Sequence, residues 1–453
     1  MWRRLIGSRA YCTRGHRVLL DGGGLVGLGR MDQTQHPRRP RWRAACAVSA
    51  LLFAVLAAVG ARGLFRVLGG ESERLAVRGE TGLSPDTASW LKARMAPLGE
   101  GPLVDVHAHL GGTGNGSDCW INPRLKSPLH PRDWVRMRIY ASAASVGPEE
   151  PDRHWSERME ELARTLPIAS KHVFLAFDYR YRRDGSLDLE HSEFHVPNDW
   201  TRDEARRQGR RFAWAASVHP YRKDAIQELE RCFANGARMV KWIPAAQGID
   251  PADDACVPFY RAAKRLGMAL LIHVGDEQAV ETEKDRELGN PLRLRKPLTL
   301  GVRVIAAHCG SLGLSPDWES AGEPRVPSFD LFLRLLDDPL YEGRLFGDIS
   351  ALTQVNRFGG VLATMLERRD LHRRLINGSD WPLPNVNVLY RLGPLAAAGF
   401  LAKEDLGPLQ EIYAWNPLLF DLALKLAVRS PANQQGFAPE VFLPRAGLEF
   451  WGR

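Results

Sequence analysis

The sequence of 453 residues is poor in cysteine, with six in all and no C-x-x-C pair. That absence argues against a zinc knuckle and against a thioredoxin-type redox site. Cys12 and Cys46 lie near the N-terminus, leaving Cys119, Cys232, Cys256 and Cys309, whose spacing dictates no pairing. Buried free thiols are the default reading for them. Phosphate-binding signatures are missing too. Gly22–Gly23–Gly24 has no strand–helix context, and the glycine-rich stretch from Gly111 to Gly116 lacks the Lys-Ser/Thr ending of a phosphate loop. A basic body is also lacking. The formal net charge is +8, yet residues 1–43 carry ten Arg and no Lys against two Asp, so the remainder balances 51 basic with 51 acidic residues. A nucleic-acid-binding domain presents a basic face of its own; none is called for here, and no nucleic-acid partner is expected.

Long uncharged runs are scarce, and one stands out. Residues 44–61, AACAVSALLFAVLAAVGA, contain no charge and are bounded by Arg43 and Arg62. Eighteen apolar residues just reach the length that crosses a bilayer as a helix. The arginine-rich flank would stay in the cytoplasm and put the body outside, as a single-pass membrane protein. A cleaved signal segment is the alternative, with Val59–Gly60–Ala61 as a small-residue cleavage site and Met31 as a later start; the product would then be secreted or periplasmic. The organisation expected is a basic tail (1–43), a transmembrane or signal segment (44–61), a lead-in (62–101), a catalytic body (102–425) and a C-terminal extension (426–453).

Within the body, strand-length apolar runs alternate with amphipathic stretches. The runs are 102–109, 172–177, 211–218, 237–243, 267–274, 302–308, 344–350 and 373–380. Their branched and aromatic content is that of buried parallel strands. Asp224 can cap a helix beginning at Ala225 with Gly236 past its end, and Ser328 can cap another. Eight strands alternating with helices predict an α/β fold, a (β/α)8 TIM-type barrel; a doubly wound open sheet is the runner-up. Residues 110–171 and 178–210 are too long for bare connectors. Emerging after strands one and two at the C-terminal face, they are expected to shape the substrate site.

The chemistry-bearing residues sit at strand ends. His107 and His109, two apart on the first run, point to one side, where two imidazoles can reach one divalent ion. Lys241 ends the fourth run, His273 the fifth, His308 the sixth and Asp380 the eighth. Each alone has an ordinary structural explanation: a hydrogen-bonded core histidine, a lysine escaping to solvent, an aspartate cap. Six such residues on five strands, in order at the face where a barrel gathers its catalytic groups, are hard to assign to chance.

This order, with GARMVKWIP, LLIHVGDE, RVIAAHCGS and INGSDWPLP around the key residues and IYAWNPLLFDLA near the end, resembles the amidohydrolase superfamily. The branch it looks most like is the amidohydrolase-related, or second amidohydrolase, family. The resemblance covers residues 102–425 and implies a distorted barrel with one or two divalent ions, zinc by preference. It implies His107, His109, His273 and Asp380 as metal ligands, with Asp380 also taking the proton from the attacking water. His308 would bind a second metal or act on substrate, and Lys241 would bridge two ions as a carbamate or, unmodified, meet an anionic substrate. Trp242 after Lys241 departs from the wording of two-metal relatives and favours one ion. The function implied is a metal-dependent hydrolase whose metal-activated water attacks an amide, ester or lactone carbonyl of a small molecule. A metal-dependent decarboxylase is the alternative, with Arg180, Arg222 or Lys241 as cationic groups for a substrate carboxylate. A non-catalytic, membrane-tethered barrel is the second alternative. Substrate and oligomeric state are not written in the chain.

Overall fold

The computed structural model describes residues 63, 65, 67–70, 82–146, 150–280 and 284–445, all within the compact unit Ala58–Arg453. Among them no helix is long and apolar enough to cross a membrane. The expected span at 44–61 lies outside the described residues, as do the basic tail and residues 446–453.

All eight apolar runs are strands: β1 (Leu103–His109), β2 (Ser170–Leu175), β3 (Phe212–Ala215), β4 (Met239–Trp242), β5 (Ala269–His273), β6 (Val304–Ala307), β7 (Leu345–Asp348) and β8 (Leu375–Ile376). They form two parallel arcs, β1–β2–β3 and β4–β5–β6–β7–β8. Parallel bridges Ala216–Val240 and Ala108–Trp381 join the arcs at both seams. The sheet therefore closes on itself, which is the barrel and excludes the open doubly wound sheet.

Side-chain alternation explains why these runs are apolar throughout. Met239, Ala269, Leu271, Ile305, Ala307 and Phe346 fill the barrel interior. Their neighbours Val240, Leu270, Ile272, Val304 and Leu345 face outward into a second apolar layer. Helices Ala225–Ala234, Val257–Leu266 and Ser328–Asp337 bury residues at helical spacing: Leu229 and Cys232; Phe259, Ala262 and Ala263; Leu331, Phe332, Leu335 and Leu336. Each buried Leu or Phe among them contributes about 1.5–3 kcal/mol. The backbone enters the first helix through Asp224, and Gly236 (φ 103°) follows its end. The Asp224 side chain makes no cap bond and pairs with Arg222 instead. Ser328 is the first helical residue rather than the cap. The four cysteines are free and buried.

The opposite end of the barrel is plugged. Val104 N donates to Phe442 O at 2.9 Å and Asn377 N to Val441 O at 2.9 Å, so the turn Pro439–Val441 covers the start of β1 and β8. Helix Pro85–Met95, in the expected lead-in, packs on helices Leu406–Trp415 and Pro417–Ala427. Asn416 joins the last two. Its Oδ1 accepts from Leu418 N (2.9 Å) and Leu419 N (3.0 Å) while Nδ2 donates to Leu162 O (3.0 Å).

The two insertions carry structure of their own. The first holds helices Pro131–Ala143 and Pro151–Arg164, the second helix Asn198–Arg207. Short strands Trp120–Ile121 and Phe194–His195 pair antiparallel and stitch the insertions together. Buried Glu193 reinforces the seam, accepting from Arg124 (3.0 Å) and Arg136 (2.6 Å).

Candidate functional site

A cavity of about 390 Å³ opens at the C-terminal ends of the strands, and its floor includes His109, Lys241, His273, His308 and Asp380. The first insertion supplies Ile121, Leu125, Val135, Ile139 and Tyr140 to its wall, and the second supplies Glu193 and Phe194. Both insertions thus shape the site.

Local backbone features aim the side chains. Val104 and Val106 fill the interior, and the β1 register shifts between Asp105 and Ala108. A bulge of this kind resets strand parity, so His107 and His109 also face in. His308 and Asp380 sit just past their strands with positive φ, 55° and 56°. Non-glycine residues seldom adopt this conformation, and where they do the cost is sustained by the surroundings. Here it turns each side chain back over the barrel mouth. Gly378 is required for close packing: a Cβ there would meet Asp348 Oδ1 at 2.6 Å and His107 Cβ at 2.7 Å.

The polar atoms converge. His107 Nε2 lies 3.1 Å from His109 Nε2 and 3.5 Å from Asp380 Oδ1, and His109 Nε2 lies 3.4 Å from the same oxygen. His308 Nε2 is 3.8 Å from Asp380 Oδ2, and donor atoms of His107, His308 and Asp380 all fall within 4.8 Å of one another. Lys241, fully buried, places Nζ 3.0 Å from His107 Nε2. His273 stands beside this group, its ring 5.0 Å from that of His308, but outside the tightest cluster.

Each inward histidine except His109 has a partner behind it that fixes its tautomer. His107 Nδ1 is 2.6 Å from Asp348 Oδ2, so Nδ1–H donates to the carboxylate and Nε2 keeps its lone pair for the cavity. His308 Nδ1 is 2.8 Å from Ser350 Oγ and 3.2 Å from Ser350 O. Because Ser350 Oγ itself donates to Asp348 Oδ2 (2.6 Å), it accepts from His308, whose Nε2 lone pair again faces inward. His273 Nδ1 is 3.0 Å from Glu277 Oε2. Asp348, Ser350 and Glu277 were not singled out from the sequence. Their signal was present only as polar residues just after strands β7 and β5.

Charge states follow from burial and neighbours. Burial lowers His273 to about 4 and His308 well below the ordinary histidine value, so both rings are neutral with lone pairs available. Burial alone would raise the Asp380 carboxyl, but His308, His107 and His109 around it hold it well below the usual carboxylate range. Burial pushes Lys241 down to about 8, against the pull of Asp380, Asp348 and Glu277.

The donor set fits a divalent ion. A four-coordinate ion with bonds of about 2.0–2.1 Å separates its ligands by about 3.3 Å, close to the 3.1, 3.4 and 3.5 Å found between His107, His109 and Asp380. The back-side carboxylate behind a metal-facing imidazole is the arrangement that orients metal-ligating histidines.

Arg180 and Arg222, expected as receptors for a carboxylate, do not serve. Arg180 pairs with Asp285 (2.7 Å), Arg222 with Asp224 (2.8 Å) and Asp178 (3.1 Å), and neither lines the cavity. Asp178 and Asp285, unlike the adjacent Asp224, are partners that sequence spacing does not reveal. Arg357, on the loop after β7, lines the cavity instead.

Residues 104–408 match the sequence model of a family described as Amidohydrolase. No curated protein matches the chain. Among solved structures the chain is similar to a probable 2-pyrone-4,6-dicarboxylic acid hydrolase of Acinetobacter baumannii with citric acid bound. The identity is 14% and the TM-score 0.40, over 74% of this chain and 98% of that one. It is also similar to 5-carboxyvanillate decarboxylase of Sphingomonas paucimobilis (13% identity, TM-score 0.36, 70% and 96% covered). A third is N-isopropylammelide isopropylaminohydrolase of Burkholderia multivorans (16%, 0.34, 77% and 81%).

Proposed function

The chain belongs to the amidohydrolase family, and on that premise we propose that it is a metal-dependent hydrolase adding water to an amide, ester or lactone carbonyl of a small molecule. The observation that carries this reading is the convergence of His107, His109, His308 and Asp380 on one point of a cavity floor. In this proposal His107, His109 and Asp380 hold a divalent ion, zinc by preference, with His273 and His308 completing one site or opening a second. When bound, the ion polarises the carbonyl and acidifies a water molecule.

The chain's own residues do the rest. Asp380 is held ionised, so one carboxylate oxygen can accept the proton of the attacking water and pass it to the leaving group. His308 is neutral and spends its N–H on Ser350. Its cavity-facing Nε2 is therefore an acceptor or ligand, in place of the hydrogen-bond donor to a carbonyl that its position in the sequence allowed. Lys241 fixes the His107 side of the floor and supplies positive charge there. Its role as a carbamate bridging two ions requires a second ion beside it. The helices of the first insertion supply apolar side chains to the cavity wall. Residues 44–61 are proposed to tether or target this body outside the cytoplasm; retention of the full chain in membranes after carbonate washing tests that, and its release would reject the tether.

The test of the reaction is Asp380→Asn in the zinc-loaded protein. Hydrolysis of a lactone and ester panel should fall by about 10²-fold or more while bound zinc falls far less. Undiminished activity, or wild-type activity with no stoichiometric metal, rejects the mechanism. A decarboxylase acting through the same residues is the second reading, favoured by the cations Lys241 and Arg357 on the cavity surface. Release of CO₂ without water uptake distinguishes it.

A further inference from the structure

Arg357 is 7% exposed and lines the cavity. Its Nη1 donates to Ser311 Oγ at 3.0 Å. Its Nε is buried with no hydrogen-bond partner among the described residues. Glu277 and Asp380 act on it only as charges through space, and burial works against its charge. The other arginines on this wall differ. Arg136, for example, is bonded to Glu193 at 2.6 Å and Asp133 at 3.2 Å.

A guanidinium so buried is costly unless an anion meets it. The surrounding groups are suited to holding one: Gln354 and Asn356 on the same loop and Gln278 opposite, with Asn356 Nδ2 donating to Gln278 Oε1 at 3.2 Å. Beyond them the wall turns apolar, with Val135, Ile139, Tyr140, Leu383, Val386 and Leu389. The planar fork of arginine matches a carboxylate in two-pronged fashion.

Resting on the hydrolase reading, we propose that the substrate is a compact organic acid with an apolar or aromatic body. Its carboxylate is anchored on Arg357, and a separate hydrolysable carbonyl lies over Asp380. The anchored carboxylate is not the reacting group. It stays on the product, and Arg357 sets specificity without taking part in bond breaking.

The test is equilibrium binding to the full, zinc-loaded chain, with 4-phenylbutyrate and its neutral amide 4-phenylbutyramide as probes. The acid should bind wild type roughly 10- to 100-fold more tightly than the amide, the range for a charge-assisted hydrogen bond. Arg357→Met should abolish that preference and leave amide affinity unchanged, while Arg357→Lys should keep part of it. With no ligand present, Arg357→Met should melt no lower than wild type, since it removes an unpaired buried charge. Equal affinity of wild type for acid and amide, or an acid preference surviving in Arg357→Met, overturns the proposal. Hydrolysis of neutral lactones without any acid preference would sink this proposal alone. Arg357-dependent acid binding without any hydrolysis would sink the hydrolase reading alone.

Discussion

Asp348→Asn is the substitution that tests the back-side control of the site. Asp348 is fully buried and accepts three hydrogen bonds: from His107 Nδ1 and Ser350 Oγ on Oδ2, both at 2.6 Å, and from Ser350 N on Oδ1 at 2.7 Å. Asparagine has the same shape but only one accepting oxygen. With its NH₂ at the Oδ2 position, it faces His107 Nδ1–H and forces that proton to Nε2, where it occupies the lone pair that the proposed metal would use. With its NH₂ at the Oδ1 position, it faces the Ser350 N–H. The first pose reverses the His107 tautomer; the second leaves two donors facing each other, and a buried unsatisfied donor costs about 1–3 kcal/mol. Removing a partner behind a ligating imidazole typically lowers metal affinity about 10- to 100-fold, or about 1.4–2.7 kcal/mol. Competition of the variant with a zinc-buffering chelator should therefore give a dissociation constant raised within that range. Hydrolytic activity should be partly restored at high zinc. An unchanged zinc affinity would refute the claim that Asp348 sets the tautomer of His107.

Two further outcomes follow from the packing and from the buried histidines. Gly378→Ala inserts a methyl 2.6 Å from Asp348 Oδ1 and 2.7 Å from His107 Cβ; overpacking of this kind costs about 1–3 kcal/mol or more, so thermal melting should show a lower midpoint and elemental analysis a reduced zinc content. Acid should destabilise the fold through His195 and His219, which burial lowers to about 4 and about 3. Above pH 6.5 both are neutral whether folded or not, and their contribution is complete. As pH falls from about 6.5 towards 4 the unfolded chain takes up protons that the folded chain refuses, and stability is lost at about 2 kcal/mol per histidine by pH 5. Urea midpoints compared at pH 7 and pH 5 would show this, and equal midpoints would contradict it.

The barrel was legible because each of its strands is buried on both faces, so eight apolar runs mark it without help from tertiary contacts. The inward residues were legible for a related reason. His273 stands near the end of an otherwise apolar run and Asp380 just past the Leu375–Ile376 strand, places from which a polar side chain reaches the barrel mouth. What escaped were groups whose role depends on what they touch. Asp348 and Ser350 lie two apart in a Gly-Asp-Ile-Ser stretch that resembles a strand end with a turn. Only closure of the barrel brings them behind His107 and His308, more than 240 and 40 residues away in sequence. The arginines were misread for the same reason. Arg180 and Arg222 follow strands, whereas Lys241 lies within one, and their long side chains turn to acids away from the cavity. Arg357 carried no sequence signal that set it apart.

The distinction has a consequence for how the site is specified. Inward placement of His107 and His308 follows from strand position, local φ and the β1 bulge, and many polar residues could occupy those places. Selection of the nitrogen lone pair that faces inward rests mainly on Asp348 for one ring, with Ser350 Oγ also 3.3 Å from His107 Nδ1, and on Ser350 for the other. Ser350 Oγ is itself oriented by Asp348 Oδ2, so a single carboxylate governs both rings. Loss of its charge should then weaken two histidines together, and Asp348→Asn combined with His308→Ala should cost less than the sum of the single losses. Strict additivity of zinc-binding free energies in that double-mutant cycle would mean the two rings are held independently.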